Sequence, residues 1–381
     1  MESTYLYEEK DYQTKVITLA PQTFNACGSL FGNYRNASIF PVPFDNTVGS
    51  NDMGNAITLI SFHKGKVAFE RHFRNADDIT GSGKYLPSIS ADLIGFGQVR
   101  VFHLFDFKKK LHREYEIEFP ITKYIERIAI ANAPQRRFIF EIESQKANPK
   151  NSFDVGKTLQ LIDLSGDKRQ LVKELHKDPG TIWTTTKDRV ILWEFDEKKM
   201  QVFDMNLEPA HHPLETVVNR YKSTIDFSRI YIHPYLPIAI LRGGKGTVYV
   251  SWGKDKDSTP HLLLSSASQF EFSPDGKWVL FKHYFGSSIY QTYIMPVSEK
   301  LPHYFGFPIL ISDKSFEPGH SAWTTKPTGF VGSYLDKIFR WDLENQDFPE
   351  KGKMSFHDYV VQKDLEKLTR EKRQGLGEKH K

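Results

Sequence analysis

Three short stretches of the sequence carry residue types that bind phosphate or cations. Residues 80–85, TGSGKY, have the composition of a phosphate-binding loop, but Asp78 and Tyr85 stand where a Walker motif needs a glycine and a serine or threonine. A second stretch could offer oxygen atoms to calcium from Asp45, Asn46, Asn51 and Asp52. It lacks the ordered alternation and terminal glutamate of an EF-hand. Residues 242–247, RGGKGT, lie between two apolar segments, where paired glycines form a hairpin turn. We therefore predict no nucleotide or calcium site here.

Histidine and cysteine are the remaining candidates for metal chemistry. Of the fourteen histidines, four lie within two residues of a proline at the equivalent point of three repeats, namely His211, His212, His261 and His303. Because these repeats form separate sheets, we expect their histidines not to converge on one ion. Cys27 is the single cysteine, which excludes an intrachain disulfide, and we interpret it as a small buried residue. The sequence contains no HExxH motif and no nucleophile elbow, so we predict no metal, cofactor or catalytic group.

The strands that position these residues recur at a regular spacing. Seven stretches share an apolar strand, a polar turn and a further strand, and their central residues are Phe62, Phe105, Ile162, Phe203, Trp252, Met295 and Trp341. The successive separations are 43, 57, 41, 49, 43 and 46 residues. A period in the forties with about four short strands per unit is typical of propeller blades. The sequence therefore predicts an all-β fold, a seven-bladed β-propeller.

Turn chemistry supports this repeat. Ser273-Pro274-Asp275-Gly276 predicts a tight turn between the first two strands of one blade, because proline presets the first turn angle and glycine accepts the last. Similar hairpins are predicted at residues 132–137, 185–189, 233–237 and 325–329. Trp183 and Trp323 occupy equivalent positions, and we interpret them as packing between neighbouring blades. Residues 14–20, TKVITLA, alternate as a strand, and we expect them to close the ring as the outer strand of blade seven.

Two stretches carry a resemblance to a known superfamily. Residues 272–281, FSPDGKWVLF, resemble the repeat of WD40-like and TolB-like propellers, and the last repeat resembles a degenerate WD40 repeat ending in Trp341-Asp342. In that family four side chains form a structural hydrogen-bonded chain, which the resemblance places at His320, Ser333, Asp336 and Trp341. Asp336 lies one residue closer to the tryptophan than in the family pattern. The resemblance spans about residues 30–343 and implies a fold without implying an activity.

Three regions are expected along the chain. Residues 1–13 form an N-terminal extension, residues 14–354 the propeller, and residues 355–381 a short amphipathic helix with a basic tail. The tail from Lys363 holds seven basic and four acidic residues, which accounts for most of the net charge of +4. We expect nucleic-acid contact only weakly and through this tail. No apolar run is long enough to cross a bilayer and no leader pattern is present, so we expect no membrane span and a cytoplasmic location.

Inserted loops on such a scaffold predict where a partner binds. We interpret residues 43–55, 71–84 and 144–157 as insertions on one face, the alternative being insertions that are merely tolerated. The candidate partner-binding residues are Asp45, Asn51, Asp52, Arg74, Lys84, Lys146, Lys150, Phe153, Arg242 and Lys245. The leading hypothesis is a non-enzymatic scaffold or complex subunit that binds a protein through this face. The alternative is an enzyme or small-ligand binder that uses the central channel of the propeller.

Overall fold

The computed structural model describes a large part of the chain. The described residues are 17–18, 22–25, 38–42, 44–52, 56–63, 66–71, 87–90, 93–97, 101–106, 111–116, 123–147, 153–177, 181–194, 196–222, 227–243, 246–253, 259–264, 267–283, 291–301, 303–306, 308–312, 321–326, 328–334 and 337–343. Two compact units make up the chain. The smaller unit comprises Met1–Pro21, Ser223–Phe316 and Asn345–Lys381, and the larger unit comprises Gln22–Lys222 and Glu317–Glu344.

Almost every element in the described residues is a β-strand. In chain order the elements are β1 (Ile17–Thr18), β2 (Gln22–Asn25), β3 (Ser38–Pro41), β4 (Thr47–Asp52), β5 (Ala56–His63), β6 (Lys66–Arg71), β7 (Pro87–Ser90), β8 (Leu93–Gly97), β9 (Val101–Asp106), β10 (Leu111–Glu116), β11 (Lys123–Asn132), β12 (Arg137–Ala147), β13 (Phe153–Asp163), β14 (Gln170–Lys177), β15 (Thr181–Thr185), β16 (Arg189–Glu194), β17 (Lys199–Asp204), α1 (Pro213–Tyr221), β18 (Arg229–Ile232), β19 (Ile238–Gly243), β20 (Gly246–Ser251), β21 (His261–Leu264), β22 (Ser268–Phe272), β23 (Trp278–His283), β24 (Gln291–Pro296), β25 (Ile309–Ser312), β26 (Ser321–Thr324), β27 (Gly329–Tyr334) and β28 (Lys337–Asp342).

These strands pair mainly with their sequence neighbours. In the larger unit the sheets are β3–β6, β7–β10, β11–β14, the three-stranded β15–β17, and a sheet in the order β2-β28-β27-β26. In the smaller unit they are β18–β21 and a sheet in the order β1-β25-β24-β23-β22. The central residues of the sequence repeat fall in the third strand of successive sheets, except that Trp252 directly follows β20. Short antiparallel meanders of this kind are the unit that the repeat predicts.

The N-terminal segment closes its sheet differently from the prediction. The outer strand beside β28 is β2, with Gln22 opposite Arg340 and Asn25 opposite Lys337. The strand predicted at residues 14–20 is instead the two-residue β1, which pairs in parallel with Ile309 and Leu310 of β25. The prediction for residues 14–20 is therefore wrong in its partner. An N-terminal strand still completes the sheet that contains the last repeat.

Parts of two predicted insertions are strands in the described residues. Residues 43–55 contain β4, which pairs with β3 on one side and β5 on the other. Residues 144–157 continue β12 and β13, which pair from Arg137 opposite Asp163 to Ala147 opposite Phe153. The expectation of loops is wrong for residues 47–52, 144–147 and 153–157, because the backbone hydrogen bonds of neighbouring strands override the polar composition of these stretches. Residues 53–55 and 148–152 lie outside the described residues. Of the third predicted insertion, only Arg71 at the end of β6 lies in the described residues.

The helix α1 lies where the repeat predicts a strand. His212 caps its N-terminus by accepting a hydrogen bond from the Leu214 amide, and Pro213 occupies the first turn. The buried residues of its apolar face are Leu214, Val217 and Val218. Among the described residues the β15–β17 sheet has three strands, and α1 packs against β17. The helix predicted after residue 354 lies outside the described residues. No described helix has the length and apolar character needed to cross a membrane.

Large apolar side chains fill the space between neighbouring sheets of the larger unit. Trp183 of β15 joins a buried cluster that also contains Ala129, Ile139, Leu159 and Leu161 from the β11–β14 sheet. The packing predicted for Trp183 is therefore confirmed. Trp323 is also buried, and its ring meets Phe330 of its own sheet edge-on with centroids 5.5 Å apart.

The turn Ser273–Gly276 is fastened to the preceding sheet by His233. The His233 Nδ1 atom accepts hydrogen bonds from the amides of Tyr235 at 3.0 Å and Leu236 at 2.7 Å. Its Nε2 atom lies 2.7 Å from the carbonyl oxygen of Gly276. The two amides require an acceptor at Nδ1, so the proton of the neutral ring resides on Nε2 and is donated to Gly276. His233 therefore acts as a neutral cross-link between two sheets of the smaller unit.

The stability of the fold should decrease as the pH falls below the ordinary pKa of histidine. Burial lowers the pKa of His233, although the hydrogen bond to Gly276 and the nearby charge of Asp275 oppose the shift. The unfolded chain then binds more protons than the folded chain below about pH 6.5, so the contribution is full above that pH and is lost as the pH falls. In His233→Asn, whose side-chain oxygen can still accept the turn amides, the midpoint of thermal unfolding should depend less on pH between 7.5 and 5.5. Equal pH dependence in the two proteins would contradict this assignment.

Candidate interaction surface

Within the described residues, the hairpin of β12 and β13 extends beyond the two strands that pair with it. β11 reaches only as far as Ser144 of β12, and β14 reaches only as far as Lys157 of β13. The pairs beyond these points are Gln145 with Val155, Lys146 with Asp154, and Ala147 with Phe153. We call residues 145–147 and 153–155 the arm.

The edge strand of the same sheet exposes two aliphatic side chains. Leu171 is 52% exposed and Val172 is 48% exposed. Together with Tyr235, these are the exposed large hydrophobic residues of the described part of the chain. The register between β13 and β14 shifts at this point, since Leu161 is opposite Lys173 and Ile162 is opposite Leu171. Val172 is therefore the extra residue of a β-bulge, and the bulge turns both aliphatic residues outward.

The turn that leads into β14 is held by its own carboxylate and by the neighbouring sheet. Asp163 accepts hydrogen bonds from the Ser165 amide at 2.8 Å and the Ser165 hydroxyl at 2.6 Å, and it pairs with Arg137 at 3.1 Å. Burial raises the pKa of Asp163, but these hydrogen bonds and the Arg137 charge hold the pKa below its usual value. The Tyr115 hydroxyl of β10 donates to the Leu164 carbonyl at 2.9 Å. The start of β14 is therefore fixed.

A buried ion pair holds the other end of β14. Lys177 Nζ lies 2.5 Å from the Glu141 carboxylate, and both side chains are almost fully buried at 2% and 3% exposure. The same ammonium donates to the Thr181 carbonyl at 2.7 Å, and Trp183 Nε1 donates to the second Glu141 oxygen at 2.6 Å. These bonds join β12, the end of β14 and the first strand of the next sheet. The exposed aliphatic residues thus lie on a strand that is anchored at both ends.

Six of the ten predicted partner-binding residues lie in the described part of the chain, and their role stays a prediction. Asp45 is exposed and precedes β4, whereas Asn51 and Asp52 end that strand, so a strand length of roughly 20 Å separates them. Lys146 and Phe153 both belong to the arm. Arg242 is the second-last residue of β19 in the smaller unit, and its side chain is half-buried. Outside the described residues lie Arg74, Lys84, Lys150 and Lys245.

The predicted structural chain of the last repeat is described only in part. Trp341 is 2% exposed, and its ring centroid lies 5.7 Å from that of Phe330. Ser333 belongs to β27 opposite Ile338. His320 and Asp336 lie outside the described residues, so the hydrogen-bonded chain stays a prediction.

Solved structures share this arrangement of sheets. A chain of the mitotic checkpoint complex matches with a TM-score of 0.52 and 11% identity, over 87% of this chain and 94% of its own. The CNH domain of AfRom2 matches with a TM-score of 0.52 and 8% identity, over 85% of this chain and all of its own length. The β-propeller domain of Cps50 (Swd1) from Myceliophteria thermophila gives a TM-score of 0.48 at 12% identity, over 87% and 99%. The fold resembles that of WD40 β-propellers. No protein-family model and no curated protein matches the sequence.

The resemblance of the sequence to WD40-like propellers is thus confirmed at the level of the fold. In a propeller each radial sheet is one blade, and the arm and the edge strand β14 belong to the same blade. Identities of 8% and 11% show the fold alone, and function has to be argued from the residues of this chain. In the described residues no group of three or more histidine, cysteine, aspartate or glutamate side chains is arranged to hold a metal ion.

Two of the histidines that the sequence predicts not to converge on one ion have rings that lie close together. His261 begins β21, and His303 lies between β24 and β25 of the next blade. Their ring centroids are 5.4 Å apart. The sequence repeat assigned them correctly to separate blades, but it carries no information on which side chains of adjacent blades approach each other. His211 and His212 lie at the start of α1 in the larger unit.

Proposed function

We propose that this chain is a seven-bladed β-propeller that serves as a non-enzymatic scaffold and binds a protein partner through the blade β11–β14. The observation that carries the proposal is the pair Leu171 and Val172, exposed at 52% and 48% on a strand fixed at both ends. Neighbouring apolar side chains on a rigid surface favour association, because a partner that covers them removes apolar area from water. The described strands form seven sheets, which supports the blade count.

The arm adds a second contact element on the same blade. In the described residues no further strand pairs with the arm, and a two-stranded ribbon is only marginally stable in water, so contact with a partner would stabilise it. One of the matched structures comes from a multi-protein complex, which supports a role in protein assembly without naming the partner of this chain.

Adding two charges to the exposed strand should abolish partner binding and leave the fold intact. We expect the double variant Leu171→Lys, Val172→Lys to capture about tenfold less partner than the wild-type chain, or less still. Association would bury two lysines without counter-charges in the interface, which opposes binding. The matched control is Thr216→Lys, Asn219→Lys, which adds the same charge at exposed positions of α1. Affinity capture of each full-length protein from its native lysate, followed by quantitative mass spectrometry, measures the ratio.

The outcomes separate the two hypotheses for function. A near-stoichiometric partner retained by the control and lost from the double variant supports the scaffold and places its contact. Equal retention by both variants contradicts the proposed surface. A chain that captures nothing contradicts the scaffold itself and favours the alternative, a small ligand in the central channel. Circular dichroism and thermal unfolding of both variants show that the charges have not changed the fold.

Location and regional organisation are part of the same proposal. We propose a cytoplasmic protein with an N-terminal extension at residues 1–13, a propeller at residues 14–354 and a helix with a basic tail at residues 355–381. Cell fractionation of the tagged chain tests the first statement. Limited proteolysis with mass mapping tests the regional boundaries.

A further inference from the structure

Two histidines from adjacent blades of the smaller unit lie side by side. His261 and His303 are each half-buried, and their ring centroids are 5.4 Å apart with an angle of 59° between the ring planes. Zinc and similar ions bind imidazole nitrogen at about 2.0–2.1 Å, which places each ring centroid about 3.2 Å from the ion. At a tetrahedral angle two such rings have centroids about 5.2 Å apart. The observed spacing therefore matches two imidazoles that share one ion.

A buried tyrosine holds both rings. The Tyr249 side chain is almost fully buried, and its hydroxyl lies 2.8 Å from Nδ1 of His303. Its ring stacks on His261 with centroids 5.1 Å apart and an angle of 21°. A hydrogen bond to one ring nitrogen is the usual way in which proteins orient a metal-binding histidine and fix which nitrogen binds. Binding through Nε2 of His303 requires that Nδ1 carries the proton and donates it to the Tyr249 hydroxyl oxygen.

The backbone next to His303 is strained. Tyr304 has a φ of 62°, in the left-handed region that a bulky aromatic residue rarely adopts. Residues held in this conformation cluster at ligand sites, where the surrounding structure compels them. Phe305, fully buried, packs against Tyr249 with centroids 5.2 Å apart. The loop that carries His303 is thus fixed against the ring that orients it.

We propose that His261 and His303 form a binding site for one divalent transition-metal ion. Imidazole nitrogen suits Cu²⁺, Ni²⁺ and Zn²⁺, and the order of affinity for a site of this kind places Cu²⁺ first. The described part of the chain contributes no third histidine, cysteine or carboxylate to the pair, so water or a residue of a bound partner completes the coordination. The proposal is independent of the scaffold function, since it rests on the smaller unit alone.

Direct metal titration tests the site. The full-length chain, freed of metal with a chelator, is titrated with CuCl₂, NiCl₂ and ZnCl₂ in separate calorimetric experiments. We expect one ion per chain with the tightest binding for Cu²⁺, and a loss of affinity of at least about tenfold in His261→Asn and in His303→Asn. The control His176→Asn removes a histidine whose side chain is 86% exposed and should bind as the wild type does. The Cu²⁺ complex should show electron-spin coupling to two imidazole nitrogens.

Two further results decide against the site. If the double variant His261→Asn, His303→Asn binds Cu²⁺ as tightly as the wild-type chain, the protein holds an adventitious ion only. The electron-spin spectrum of the Cu²⁺ complex should lose the coupling to one imidazole nitrogen in His261→Asn. If the spectrum of this variant equals that of the wild-type chain, the proposal is also wrong. Tyr249→Phe provides a variant that keeps the aromatic packing, and it should weaken binding while the stoichiometry stays at one. Circular dichroism of every variant shows whether it is folded. If His303→Asn does not fold, the loss of affinity is measured with His261→Asn alone.

Discussion

Replacing Lys177 with methionine should lower the free energy of unfolding by about 3–5 kcal/mol. Lys177 and Glu141 are almost completely removed from water and lie 2.5 Å apart. Without the ammonium, the Glu141 carboxylate keeps its hydrogen bond from Trp183 but loses its counter-charge in a site that water does not reach. Urea unfolding of the wild-type chain and the variant, followed by tryptophan fluorescence, measures the difference.

The same substitution elsewhere on β14 is the matched control. Lys173 forms an ion pair with Glu208 at 2.7 Å, but the two side chains are 32% and 62% exposed. Lys173→Met should therefore change the free energy of unfolding by no more than about 1 kcal/mol. Adding Glu141→Gln to Lys177→Met should recover part of the loss, because the neutral amide still accepts from Trp183. Equal losses for Lys177→Met and Lys173→Met would show that burial of the ion pair does not determine its contribution.

Gly276→Ala should destabilise the fold by about 2–4 kcal/mol. Gly276 has a φ of +70°, which disfavours any residue with a β-carbon. An added β-carbon would lie 2.7 Å from Cε1 of His233 and 2.8 Å from Cδ2 of Tyr235, closer than carbon atoms approach. The His233 ring would have to move and lose its hydrogen bond to the Gly276 carbonyl. Urea unfolding at pH 7.5, where His233 is neutral, measures the loss.

Gly166→Ala is the control for that measurement. An added β-carbon there has the Lys168 carbonyl oxygen, at 4.0 Å, as its nearest neighbour, and the backbone is not left-handed. The substitution should change the free energy of unfolding by less than about 1 kcal/mol, and it can stabilise the chain by restricting the unfolded state. A large loss in Gly166→Ala would mean that glycine in these turns is needed for a reason other than its conformation.

The parts of the fold that were predictable are those that local chemistry determines. Ser273-Pro274-Asp275-Gly276 forms the predicted turn because proline and glycine restrict it without help from the rest of the chain, and Gly276 has the positive φ that the prediction needs. The helix α1 also had a local signal in Pro213, Glu215 and the spacing of Leu214, Val217 and Val218. We missed it because the repeat predicted a strand there.

Features that depend on neighbouring strands were not predictable in the same way. The polar residues of β4 have weak strand propensity, and they form a strand because β3 and β5 bond it on both sides. In β14 simple alternation would place Leu171, Lys173 and Leu175 on one face. The bulge at Val172 breaks this alternation and exposes Leu171 and Val172, and a bulge leaves no mark in a single sequence. The best candidate for a contact surface therefore required the structure.

The pairing of β2 with β28 also determines when the chain can finish folding during synthesis. About 310 residues separate Asn25 from its partner Lys337, so at roughly 5–20 residues per second β2 leaves the ribosome about 15–60 s before β28 is made. Throughout that interval the β2 segment has no partner strand and is open to pairing with another chain. The sheet β2-β28-β27-β26 is thus started by a strand that is made about 310 residues before the strand that pairs with it. Slow translation of the residues between β2 and β28 should consequently increase the demand of this protein for chaperones.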